Sequence, residues 1–195
     1  MSKISLEPNA SGTGVFTIAS PNSNTDRTLN LPDEAGTIIT TAGVPYSALP
    51  TGSVLQVVRA TDSTHRVTSS SSFVDSGLSI TITPTSASSV VIVIANIVGQ
   101  SFCVTSGASN RGWIQITDSA NTAVSGAEGV YYGMEAVSGS SQYAFGAITA
   151  IGYSQPSTTS AVTYKLRYHR HASSTEFLLN NTVNPAQLYA IEVAA

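Results

Sequence analysis

The arrangement in this 195-residue chain best suited to chemistry is His169-Arg170-His171. On a strand, positions i and i+2 point to the same side, so both imidazoles face one direction. Three copies of the chain around an axis would then offer six ring nitrogens, an octahedral set suited to Fe²⁺, Ni²⁺ or Zn²⁺. Binding by neutral imidazole would weaken below about pH 6.5, where the ring takes a proton. The competing reading is a pair of surface histidines at a strand end, because Ala172-Ser173-Ser174 follow as a turn.

Other polar groupings are weaker. Asp62, Ser63 and His65 hold the residue types of a Ser-His-Asp site, but they are crowded into one polar turn without a Gly-x-Ser-x-Gly elbow. Asp33-Glu34 sits between Pro32 and Gly36 and reads as a turn, and Asp26-Arg27 as an ion pair or turn. No Walker A loop, dinucleotide fingerprint, zinc Cys/His cluster or EF-hand loop occurs in the sequence. The aromatics Trp113, Tyr131, Tyr132, Tyr143 and Tyr153 lie among Gly and Ser. Such rings stack on sugars, anchor protein contacts, or pack in a core or subunit interface.

The elements positioning these residues are strands. No apolar pattern of helical period with caps is present. Ser53–Thr61, His65–Thr68, Leu78–Thr83, Ser88–Val98, Gly112–Thr117, Val130–Met134, Gln142–Tyr153, Ala161–His169, Glu176–Leu179 and Gln187–Val193 all read as strands. Ser88–Val98 is apolar on both faces and is expected at the centre of a sheet. In Ala161–His169 the residues Val162, Tyr164, Leu166 and Tyr168 share a core face. Ser138–Ser141 is expected to join its flanking strands as a hairpin. The segment 44–52, with two prolines and a glycine, reads as a linker between a short N-terminal β-module (1–43) and a larger domain (53–195).

Composition narrows the function classes. Charged residues make up only 10% of the chain, against roughly 25% in ordinary domains. Asp75 is the one charge between Val67 and Asn110, and none lies between Ala136 and Tyr164. Such a surface is cheap to desolvate and favours self-association. The net charge of −3, without a basic stripe, argues against nucleic-acid binding. The lone Cys103 excludes an intrachain disulfide and reads as a small core residue. The apolar run Val90–Val98 is far too short for a membrane span, and Met1–Glu7 has no secretory h-region.

From Gly12 to Ile38 the sequence follows G-T-G-x-F-T-I-x-x-P-N-x-N-x-x-R-T-L-x-L-P-D-x-x-G-T-I. This pattern resembles a β-module near the start of many bacteriophage tail-fibre and virion-surface proteins. Further on, Gly52–Val58 (GSVLQVV), Phe73–Pro84 (FVDSGLSITITP), Tyr164–Tyr168 (YKLRY) and Ala190–Val193 (AIEV) are similar to a β-sandwich domain of phage fibre and virion proteins. The resemblance implies a homotrimeric virion component without enzymatic activity, made in the host cytoplasm and carried in the particle. It would dock on other virion proteins through its N-terminal module and touch a host-surface glycan or protein. H-x-H pairs resembling His169/His171 bind iron on the axis of some phage fibre and spike tips; no other cofactor is implied. The expectation is an all-β chain, a short β-module followed by an antiparallel β-sandwich or jelly roll. It would serve as a short fibre for host attachment or as a capsid decoration protein at threefold positions.

Overall fold

The computed structural model describes residues 11–15, 17, 22–26, 28, 44, 46–105, 108–134, 141–182 and 184–195. The chain divides into two units, 1–38 and 39–195. Of the expected N-terminal β-module, residues 11–15, 17, 22–26 and 28 are described, and the rest, with the Asp33-Glu34 pair, lies outside the described residues. A short turn holds there: the Thr25 amide donates to Ser23 Oγ at 3.1 Å.

The second unit is all-β. After a 3-10 turn at Tyr46–Ala48 come β1 (Val54–Asp62), β2 (Arg66–Thr68), β3 (Val74–Ile82), β4 (Val90–Cys103) and β5 (Asn110–Asp118). They are followed by β6 (Val130–Met134), β7 (Gln142–Ser154), β8 (Val162–Arg170), β9 (Glu176–Leu179) and β10 (Ala186–Val193). All ladders are antiparallel. One six-stranded sheet runs β1-β10-β4-β9-β2 with β7 on the other side of β4, and a four-stranded sheet runs β3-β8-β5-β6. The long β4 takes β10 along its first half, β9 along its second, and β7 along its whole length. The six-stranded sheet is therefore four columns wide: β1 with β2, β10 with β9, β4, and β7.

The alternation in the sequence decides which residues meet between the sheets. Leu78, Ile80 and Ile82 of β3, Val91, Val93, Ala95 and Ile97 of β4, Ile114 and Ile116 of β5, and Tyr164, Leu166 and Tyr168 of β8 form one buried cluster with Phe177 and Leu188. Cys103 is buried, as its apolar run implied. Full burial of each large aliphatic side chain contributes about 1.5–3 kcal/mol, so this cluster dominates stability.

Two features differ from the sequence reading. Strand β3 starts at Val74, with a register irregularity between Asp75 and Ser79 where Gly77 takes φ +79°. The expected strand began at Leu78; the Ser76-Gly77 pair ahead of it makes a bulge within the longer strand. The expected β6–β7 hairpin does not form, because β6 belongs to the four-stranded sheet and β7 to the six-stranded one. Residues 138–140 of the expected turn lie outside the described residues. Between the two strands the Tyr132 hydroxyl donates to the Phe145 carbonyl at 2.6 Å, tying the two sheet edges together.

Candidate functional site: two outward faces

Strand β7 is built inside out. Its core-facing positions are the small residues Ala144, Gly146, Ala150 and Gly152 with Ile148, while Tyr143, Phe145, Ile151 and Tyr153 point outward and are each at least half exposed. The small residues are dictated by close neighbours. A Cβ on Gly146 would lie 2.6 Å from the Tyr132 hydroxyl oxygen, and one on Gly152 would lie 2.7 Å from Val124 Cγ1.

The pairing register extends this outward face across the sheet. Val57, Ile191, Ile92 and Tyr153 form one cross-strand row, and Arg59, Tyr189, Ile94 and Ile151 the next. Thr61, Gln187, Asn96 and Thr149 make a neutral polar row, in which the Asn96 amide donates to the Thr149 hydroxyl at 2.8 Å. Towards the far end, Val67, Leu178, Gln100 and Phe145 align. Beyond them Phe102 stacks on Tyr143 with ring centroids 4.7 Å apart. Arg59 and Glu176 are the charges in these rows, and the Arg59 guanidinium lies over the Tyr189 ring at 5.8 Å.

The opposite side of the molecule is different in kind. On the outward face of the four-stranded sheet, His169, Trp113 and Tyr131 are cross-strand partners. The His169 ring lies parallel to the indole at 4.9 Å, His171 stacks on it at 5.5 Å, and Tyr131 is tilted against it at 5.8 Å. Phe73 meets His169 edge-on at 4.4 Å. The Arg111 guanidinium stands 5.7 Å from the Tyr131 ring centroid. The neighbouring row holds Asp75, Arg167 and Gln115. Arg167 donates to the Phe73 carbonyl, and Asp75 is 3.7 Å from Lys165.

The structure thus brings His169 and His171 together, but around Trp113. His169 Nδ1 is 2.7 Å from the Arg170 carbonyl, which puts the proton of the neutral ring on Nδ1. His171 Nδ1 is 2.5 Å from the Ser173 hydroxyl, which itself donates to the Ser109 carbonyl, and 3.2 Å from the Ser173 amide nitrogen. Both Nδ1 atoms are thus engaged by neighbouring groups of the chain. Among the described residues no group of three or more His, Cys, Asp or Glu side chains is placed to hold a metal ion. Burial, with a further push from the charge of His171, holds the His169 pKa below its usual value despite the Arg170 carbonyl.

The remaining groupings are structural. Asp62 accepts from the Thr64 amide at 2.9 Å and from Arg66 Nε at 3.1 Å, while His65 is exposed. Asp118 borders a hollow of about 400 Å³ beside Tyr164. Its carboxylate caps the Ala120 and Thr122 amides. Glu192 is fully enclosed, with no cation paired to it among the described residues. Burial alone would raise its pKa, but donation from Gln56 Nε2 at 2.5 Å and from the Thr85 amide and hydroxyl outweighs this and lowers it.

Of the five aromatics singled out in the sequence, Tyr143 and Tyr153 belong to the apolar face and Trp113 and Tyr131 to the polar one. Tyr132 belongs to neither, being spent on the seam between sheets. Sequence reasoning missed Phe145, Ile151 and Tyr189 on the first face and Arg111 and Phe73 on the second. The large-small alternation of β7 was the available signal. No protein-family model matches this chain, and no curated protein matches it.

Proposed function

We propose that the chain is a non-enzymatic bacteriophage virion protein, a homotrimeric short fibre used in host attachment, whose subunits join through the outward face of the six-stranded sheet. The observation carrying this reading is that apolar, nearly uncharged face. Four strand columns about 4.8 Å apart and 14 residues of β4 at about 3.3 Å each give roughly 800 Å², the area a stable interface takes from each partner. A sheet face of that extent with exposed apolar rows on either side of one neutral polar row marks an interaction site.

A second copy is the occupant that fits. A partner of opposite charge would find almost nothing to pair with, whereas a like surface would bury aliphatic and aromatic groups at little desolvation cost. The neutral row through Asn96 and Thr149 can bond to an equivalent row. The strand order also supports a jelly-roll reading of the two sheets, since, with β1/β2 and β9/β10 each counted as one column, successive columns alternate between layers except at β5–β6. The threefold count, the virion setting and docking through residues 1–43 rest on the resemblance of the sequence to phage virion proteins. In such a trimer His169 and His171 would lie on the outside, away from the axis, so the axial metal and this interface are mutually exclusive.

The test is quantitative mass spectrometry of purified particles of the phage that encodes the chain. Few copies per particle, in multiples of three, support the fibre. A copy number comparable to that of the shell subunits would replace it with capsid decoration. Absence from particles overturns both.

A further inference from the structure

We propose that the hollow between the 3-10 turn, the start of β1 and the β3–β4 connection binds an alkylammonium group, held by the hydroxyl oxygens of Thr85 and Ser89 in the field of the Glu192 carboxylate. The inference is independent of the attachment reading. The hollow has a volume of about 320 Å³. Tyr46, Leu49 and Leu55 give it apolar walls, and Thr85, Ser86 and Ser89 supply hydroxyls. Among the described residues no Lys, Arg, His, Asp or Glu lines it.

Glu192 is buried next to these hydroxyls. Its Oε1 accepts the Thr85 amide at 2.7 Å and the Thr85 hydroxyl at 2.8 Å, and its Oε2 accepts Gln56 Nε2. Burial opposes the charge, but donation from Gln56, Ser89 and Thr85 outweighs it and lowers the pKa, so the group is a carboxylate at neutral pH. These partners are all neutral, so a negative charge stays uncompensated beside the hollow. The carboxylate also sets the direction of the hydroxyls. An ionised carboxylate only accepts, so Thr85 spends its proton on Glu192 and keeps lone pairs on its oxygen. The Ser89 hydroxyl, 1% exposed, is near enough to lower the same pKa but stands outside full hydrogen-bond geometry with any group.

Accepting oxygens, a buried negative charge and apolar walls are the complement of an ammonium on a short alkyl stem. An anion would meet the field of Glu192, and a neutral alcohol would gain nothing from it. A bare metal ion is poorly served, because Glu192 has turned its oxygens to Thr85 and Gln56. A free amine and a lysine side chain of a partner protein carry the same group.

The experiment titrates the full chain with n-butylamine and with Nα-acetyl-lysine methylamide, following the amide resonances of Thr85 and Ser89. Butanol, butyrate and calcium chloride are the controls. Saturable shifts with a Kd of about a millimolar are expected for butylamine, with each control weaker by about tenfold or more. Equal binding of the lysine derivative supports the site with a partner's lysine as its source; binding of butylamine alone supports it with a free amine. Thr85→Val keeps the amide bond to Glu192 and should weaken binding by about fivefold, and Glu192→Gln by about tenfold or more. If Glu192→Gln does not fold, Thr85→Val decides. No saturable shift at Thr85 and Ser89, an equal response to any control, or unweakened binding by Thr85→Val overturns the site.

Discussion

The two outward faces of the larger unit use similar rings for opposite ends. Both present aromatic side chains across three neighbouring strand columns. On the six-stranded sheet those rings sit among Ile92, Ile94, Ile151 and Ile191, with Arg59 and Glu176 as the charges in the register rows. On the four-stranded sheet they sit among Arg111, Arg167, Lys165, Asp75 and two imidazoles. Covering the first face with protein removes almost no charge from water. Covering the second would strand several charges, at a cost of several kcal/mol per ion. The difference teaches that charge, more than aromatic content, separates a face suited to permanent burial from one suited to stay in water.

The comparison is most directly broken by moving charge onto the wrong face. Phe145→Glu combined with Ile151→Glu puts two carboxylates on half-exposed positions of the apolar face. The assembly should fall to single subunits in sedimentation velocity while the far-ultraviolet circular dichroism is kept. Ser79→Glu on the outward side of β3, beside Lys165, should leave the mass unaltered.

A lesion in the shared core should instead damage both faces together. Phe177 is fully buried and reaches Tyr168 of the other sheet, with ring centroids 6.4 Å apart. Phe177→Ala should cost about 3–5 kcal/mol in chemical denaturation, lowering assembly with it.

Next comes Glu192, whose lowered pKa has a defined sign. Its contribution is present above the carboxylate's unfolded pKa of about 4.3 and is lost as pH falls through the lower folded value. Glu192→Gln should cost about 2–3 kcal/mol at neutral pH and flatten that acid limb in pH-dependent thermal melts.

The smallest effect belongs to the polar face. Because His169 is held below its usual pKa, the folded chain resists a proton that the unfolded chain accepts. Stability should therefore begin to fall below about pH 6.5. His169→Gln should remove that shallow limb and leave the Glu192 limb intact.

Much of the fold was legible because strand period is a local signal. Val130–Met134 and Glu176–Leu179 match the sequence reading, and Tyr164, Leu166 and Tyr168 face the core as their alternation required. Ser88–Val98, apolar on both sides, is central in its sheet and also leaves Ile92, Ile94 and Val98 on the outward face. The grouping of the aromatics was not legible. Tyr131 and Tyr132 are adjacent, yet one joins the polar face and the other seals the seam, because cross-strand register decides which rings meet. The inverted alternation of β7 was hidden for a related reason. Size alone would place Phe145 inside, and only the crowding by Tyr132 and Val124 puts the small residues there.

The central claim is that the apolar face is covered by further copies of the chain. Native mass of the purified full chain by multi-angle light scattering, with the Phe145→Glu, Ile151→Glu variant alongside, tests it most directly. The account expects about three times 20.1 kDa for the natural chain and a single subunit for the variant. A natural chain that stays monomeric and soluble, or a variant that keeps the full mass, would contradict it.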